Sequence, residues 1–335
     1  MDIKKAINTI KYLRFSQIIS RIILKFKKKK DIKINKLIKI NNYQLYINEL
    51  HFNSKYLSRF SVQDDEINIL NKKIRINFNE EYFNSLLPLY RFNLEYFEYG
   101  LFFGYKYKET KDIVYYNSFK KFYYEYINSV CKPHPYVYSL QIINIFITLE
   151  LFSDVEDYEF KNIVYRRLYS EYLYIIKNQE KHLLANHYFE NLKAIVIASY
   201  FFKEFEICSK YINILKKEVD EEILSDGVHF ELSLMYHKVI LEDLILIAKL
   251  AKNKDFPKCE WIIPVIQKML NAACSIEKGI GRTPLFNDAG DNVAKDIETL
   301  LNTCKSEFNI EPILSDCFIE SGYYKLYDKN ISLLF

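Results

Sequence analysis

The chain has 335 residues, half of them hydrophobic and 27% charged, with a formal net charge of +4. That length suits one large domain or two modest ones, and from the composition a folded, soluble globule is expected. With only 7 Gly and 7 Pro, helices are favoured over a turn-rich all-β fold.

Residues 10–26 mix Ile, Leu and Phe with Lys and Arg, and Lys25, Lys27, Lys28, Lys29 and Lys30 follow as a dense basic run. This reads as an amphipathic basic helix suited to an anionic membrane surface or partner; the plainer alternative is a solvated terminal helix. It lacks the long apolar core and small-residue cleavage site of a signal peptide. No uninterrupted apolar run is long enough to span a bilayer, so a cytoplasmic or peripheral-membrane location is expected. Residues 31–78 are polar and rich in Asn and Lys, with short alternating stretches such as Ile74 to Phe78, and predict loops with small strands. From residue 80 the pattern changes to apolar-periodic segments at roughly 81–105, 112–130, 137–152, 158–178, 182–204, 206–219, 230–252, 259–277 and 293–304. The links are short and polar, which makes neighbouring helices antiparallel: a bundle, a solenoid or an α/α toroid. No repeat of fixed period supports a regular solenoid. Residues 321–335 read as strand, turn, strand, and such a hairpin needs a sheet to pair with or leaves an apolar edge for self-association. The expected organisation is a basic helix and irregular lead-in over 1–78, a helical domain over 79–318, and the start of a truncated β-domain over 319–335.

Three clusters carry polar chemistry. Asn186, His187, Glu190 and Asn191 open a strongly apolar helix, with His187, Glu190 and Asn191 at i, i+3 and i+4 on one face. They read as a substrate-facing helix end, or as ordinary capping by Asn186 with solvated neighbours. Asp226-Gly227 forms a turn followed by a helix on which His229, Ser233 and Tyr236 share a face, with His237 beside them; the alternative is structural histidines. Residues 281–291 form a loop in which Asn287, Asp288 and Asp291 can hold a cation or a neighbour, but without calcium-loop spacing. The six cysteines, Cys131, Cys208, Cys259, Cys274, Cys304 and Cys317, form no CxxC or zinc-finger pattern, so free and mostly buried thiols are expected and no metal site.

Taken in order, Arg91 to Tyr99, His134-Pro135-Tyr136 with Ser139 to Asn144, Asn186 to Asn191, Asp226 to His237 and Pro284 to Asp288 resemble the heparinase II/III-like family, particularly members associated with bacterial surface-polysaccharide loci. The start, Tyr12 to Ile18, is similar too, and the resemblance covers nearly the whole chain. It implies a mainly α fold, an incomplete α/α toroid of antiparallel helix pairs followed by an antiparallel β-sandwich, and β-elimination on uronic-acid polysaccharide. It implies that Asn186 and His187 neutralise the substrate carboxylate. Tyr236 matches the family tyrosine that serves as acid, or as both base and acid. Glu190 matches a carboxylate that contacts substrate or orients His187. Asn93, Tyr96, His229 and His237 are further substrate-binding candidates. The implied partner is an acidic polysaccharide and not nucleic acid; no cofactor is expected, except that the family often places metal ligands, and another essential histidine, in its β-domain. No histidine follows His237 here. Three departures stand out: Gln141 where Arg is usual, Leu234 where Pro is common, and Glu95 where His is common. The alternatives are a non-catalytic polysaccharide-binding relic and an α/α-toroid glycoside hydrolase using Asp226 and Glu231. Hydrolysis would leave new reducing ends without the double bond of elimination.

Overall fold

The computed structural model describes residues 65–334 apart from 71, 130, 184, 291, 292, 329 and 330. The basic start over 10–30 and Asp291 therefore lie outside the described residues. A two-stranded antiparallel hairpin comes first, β1 (Glu66–Ile69) and β2 (Lys72–Arg75). Eleven helices follow: α1 (Glu80–Ser85), α2 (Pro88–Glu95), α3 (Gly100–Thr110), α4 (Ile113–Ile127), α5 (Pro135–Leu151), α6 (Tyr158–Lys177), α7 (Ala185–Phe201), α8 (Phe205–Glu222), α9 (Leu234–Leu250), α10 (Ile262–Glu277) and α11 (Ile297–Phe308). A three-stranded antiparallel sheet of β3 (Cys317–Phe318), β4 (Tyr323–Asp328) and β5 (Ile331–Leu334) completes the described chain.

Local chemistry sets most of the boundaries. Asp112, Asp157 and Asp296 cap α4, α6 and α11 by accepting the amides of Val114, Phe160 and Thr299. Pro88 and Pro135 open α2 and α5 at the first turn, where a missing N–H costs nothing. The single long segment expected over 81–105 is instead three short helices. Leu86 and Leu87 are extended ahead of Pro88, as the proline ring requires of its predecessor, and Phe97 turns left-handed at φ 55°, which ends α2 before α3 can begin.

Successive helices pack as pairs, α3 on α4 and α5, α5 on α6 and α7, α7 on α8, α9 on α10, and the apolar stripes meet in one continuous core. Much of the tyrosine and phenylalanine is spent there: Phe97, Phe119, Tyr123, Tyr126 and Phe160 interlock at ring separations of 5.2–6.3 Å, mostly edge to face. Ile67, Ile69, Ile74 and Ile76 of the first hairpin join the same core. The terminal sheet packs separately, with Phe318 and Tyr323 against Val228, Leu234, Ala272, Ala273 and Ile276. Its outward face shows Ile319, Tyr324, Leu326 and Leu333 to solvent. Every cysteine is a free thiol. Among the described residues, no helix is long and apolar enough to cross a membrane.

Candidate functional site

A cleft of about 960 Å³ opens among the helices, walled by α2, α5, α7, α9 and the loop after α10. Its polar half is lined by Asn93, Tyr96, Tyr136, Asn144, Glu190 and Tyr236, and its far wall by aliphatic side chains of β1, α5, α9 and α11. Asn93 donates its amide to the Leu89 carbonyl, 2.8 Å, a bond along its own helix that fixes the side chain at the cleft wall. Tyr96 meets Tyr136 edge-on at 6.0 Å between ring centres.

The start of α7 and the start of α9, far apart in sequence, come together here: Glu190 and Tyr236 line the cleft, while Asn186 and His187 lie beside it, outside its lining. Asn186 lies near the Tyr236 hydroxyl, and that hydroxyl donates to Asp288 Oδ2 at 3.4 Å. Burial, and then the Asp288 carboxylate, push the Tyr236 phenol up to about 12, while Asn186 pulls in the opposite direction. The His187 ring lies over Tyr136 at 4.2 Å, and its Nδ1 faces Glu180 Oε1 at 3.3 Å. Glu180 is buried and locked in place: its amide donates to Asn191 Oδ1 at 2.8 Å, and the Asn191 amide group reaches Glu180 Oε2 at 3.3 Å and Ser139 Oγ at 3.0 Å. The Glu180 carboxylate and the Tyr136 ring together fix the orientation of the His187 ring. Sequence reasoning missed Glu180. It lies seven residues ahead of His187 on a separate turn, and no periodic spacing links the two.

Below these groups the floor is charged and buried. Lys193 Nζ lies 2.5 Å from both Glu190 Oε2 and Asp243 Oδ1. Burial opposes the Lys193 charge, but Asp243 and Glu190 more than offset it and raise its pKa. Burial, and then Glu190, push Asp243 well above the carboxylate range. Two buried carboxylates share one lysine here, and their surplus negative charge favours the protonated form of Asp243. Lys238 bonds Glu277 at 2.7 Å and Thr283 at 2.6 Å, and Lys295 pairs with Glu242. Arg282 is exposed at the cleft edge. Among the described residues, no group of His, Cys, Asp and Glu is placed to hold a metal ion.

His229 and His237 are not brought to the cleft. The helix expected to carry His229, Ser233 and Tyr236 on one face begins only at Leu234. Leu232 is left-handed at φ 52°, and Ser233 is the cap, accepting the Tyr236 amide. His229 therefore sits in the preceding turn, fully buried, with Nε2 on Glu222 at 3.3 Å and Nδ1 facing the Glu231 amide at 3.4 Å. His237 Nδ1 accepts the His229 amide at 3.2 Å and its Nε2 donates to the Met269 carbonyl at 2.9 Å. Burial lowers its pKa to about 4, so it is a neutral core residue with both nitrogens used. The departures at Glu95 and Gln141 are also internal. Gln141 Nε2 donates to the Glu95 carbonyl at 2.6 Å, Tyr126 donates to Gln141 Oε1 at 3.2 Å, and both side chains are buried outside the cleft lining.

The sequence matches the model of the heparinase II/III N-terminus over residues 2–312. The chain belongs to that family. No curated protein matches it by sequence at a significant level. Solved structures share its fold: a heparinase III at TM-score 0.64 and 15% identity, over 94% of this chain and 56% of that one; a heparinase III gene product with methylated lysines at 0.58 and 16%, over 95% and 57%; and a mutant of the heparan sulfate lyase HepC from Pedobacter heparinus at 0.57 and 15%, over 95% and 55%. The chain spans a little over half the length of each. Its helical body is the toroid region of a polysaccharide lyase-like fold, an incomplete α/α toroid of antiparallel helix pairs.

Proposed function

We propose that the cleft binds a uronic-acid-containing polysaccharide and supplies part of the machinery for its β-elimination. The observation that carries this reading is the meeting of Asn186 and His187 on α7 with Tyr236 on α9. Elimination removes the proton beside a uronate carboxylate, and the carbanion-like state that follows is costly unless the carboxylate charge is neutralised. Asn186, near the Tyr236 hydroxyl, and His187, against the Tyr136 ring, are amide and imidazole groups next to lining side chains and suited to that task. Tyr236 is the group suited to protonate the departing sugar oxygen. Tyr96 and Tyr136 offer ring faces and edges to sugars, and Arg282 offers charge to a polyanion. Glu190 is tied down by Lys193, so its part is to shape the floor under His187. The family membership and the lyase neighbours support the same substrate class.

The hydrolase reading is disfavoured by one detail. Asp226 spends both carboxylate oxygens on backbone amides, of Val228 at 3.2 Å and of Ser321 at 2.7 Å, so it is held as a turn former and is not free for acid–base work.

The test uses the 335-residue chain and a panel of uronate polymers, heparan sulfate among them, with binding read by calorimetry and elimination by ultraviolet absorbance of the unsaturated product. Binding is expected to weaken about tenfold or more in Asn186→Ala and His187→Ala, each removing a hydrogen-bonding group aimed at a charged partner. Tyr236→Phe should leave binding nearly unchanged and abolish whatever turnover the wild type has. If no uronate polymer binds, or if Asn186→Ala and His187→Ala bind as well as wild type, the proposal is wrong.

A further inference from the structure

Two helices give the cleft a direction. On α5 the lining side chains are Tyr136, Leu140, Ile143 and Ile147, and on α9 they include Tyr236, Val239 and Leu246. Their spacings, made of steps of three and four, keep each set on one helix face. In both helices the first turn brings a tyrosine, and the two tyrosines are near enough to interact electrostatically. The later turns bring aliphatic side chains, so a polar end passes into an apolar one over about 15 Å of helix rise. Leu301 and Leu314 add to the apolar lining. The polar groups that fall within this stretch are already engaged. Asn144 donates to the Tyr96 carbonyl at 2.9 Å, Lys238 is held by Glu277 and Thr283, and Lys295 pairs with Glu242. An anion entering there would have to break a buried ion pair, which is costly. Water gains little in such a space, since it finds few polar partners.

We propose that the aliphatic half of the cleft is a subsite for an alkyl chain covalently carried by the saccharide, as an acyl ester or as an alkyl aglycone. The sugar at the Tyr136 and Tyr236 end is the uronate ligand proposed above, and to that extent the inference rests on that reading; the chain subsite goes beyond it. The cavity, about 960 Å³, lies near the top of the range for small-molecule sites, roughly 300–1,000 Å³, so a sugar and a chain fit together. The aliphatic half is continuous with the sugar half, with no wall between them, so a chain attached to the bound sugar enters it directly. A peptide segment is a poorer occupant, because its N–H and C=O groups would meet aliphatic walls without partners. A saturated chain carries no such groups. Each methylene moved from water onto these side chains is favourable in proportion to the apolar area it buries, so affinity rises with chain length until the space is filled.

The experiment titrates the full chain by calorimetry with n-alkyl glucuronides from methyl to decyl and with O-acyl glucuronic acids of matching length, each below its critical micelle concentration. The n-alkyl glucosides and free decanoate are the controls. Affinity is expected to rise about threefold per added methylene in at least one glucuronide series, and the series that rises tells an aglycone from an acyl ester. Leu301→Gln and Leu314→Gln place an amide at lining positions that are not fully buried. Each should weaken decyl glucuronide about tenfold with little change for methyl glucuronide, with circular dichroism confirming the fold; the wild-type series decides alone where a variant does not fold. Affinity that ignores chain length overturns the subsite. Unchanged decyl affinity in both folded variants overturns it too, as does decanoate binding as tightly as decyl glucuronide, since the chain would then not need its sugar. The same gradient in glucosides, with no preference for glucuronides, keeps the chain subsite and removes the uronate reading, so the two failures are told apart.

Discussion

Glu95 gives the sharpest test of the packing, because the chain buries a carboxyl there among apolar helices. The side chain is 3% exposed and one of its oxygens has no hydrogen-bond partner. Burial raises its pKa from 4.5 to about 8, with Glu171 adding to the rise and Cys131, Arg91 and Arg167 opposing it. Arg167 is already committed to Glu171 at 2.6 Å, which is why it does not rescue Glu95. Between pH 4.5 and 8 the folded protein keeps this proton and the unfolded chain does not, so stability falls as pH rises, by about 1.4 kcal/mol per pH unit. Over the whole window the Glu95 contribution comes to about 5 kcal/mol, an upper figure because water entry and local relaxation reduce it. The perturbation is Glu95→Gln, which keeps the shape and cannot ionise. Urea unfolding is measured for both proteins at several pH values from 4 to 9. The variant should be close to wild type or slightly weaker near pH 4 and gain steadily on it as pH rises, with the gain levelling off above pH 8. A stability difference that stays constant across that range would refute the reasoning.

Two further outcomes follow from the same geometry. Lys193→Met leaves Glu190 and Asp243 buried without their cation and should cost about 3–5 kcal/mol in urea unfolding, with part recovered by adding Glu190→Gln; a loss under about 0.5 kcal/mol would show that the floor does not depend on this lysine. Gly227 sits at φ +88°, and a Cβ there would lie 2.5 Å from the Lys268 carbonyl oxygen, so Gly227→Ala should cost about 1–3 kcal/mol and lower the thermal midpoint; an unchanged midpoint would mean that the turn before α9 adjusts freely.

The sequence by itself was sufficient for the helical body. Apolar residues recurring at helical spacing with short polar links define antiparallel helices, and α4 to α11 lie close to the segments that spacing marks. The same reading missed the division of 81–105 into α1, α2 and α3, because the left-handed turn at Phe97 belongs to a residue with no local preference for it; packing among Tyr99, Phe119 and Tyr126 holds Phe97 there. It also ran the helix back to His229: Ser233 is a residue type that favours caps, but the left-handed Leu232 ahead of it carries no signal in sequence. Resemblance of motifs singled out Asn186, His187, Glu190 and Tyr236 one at a time. Only the tertiary structure decided which partners they have: Glu180 on His187, Lys193 on Glu190, and Asn186 with Asp288 on Tyr236. It also decided that His229 and His237 belong to the core. Periodicity reports which face of an element is buried, since that depends on residues a few places apart. Which polar atoms meet across elements depends on how distant segments pack, and no spacing along the chain records it.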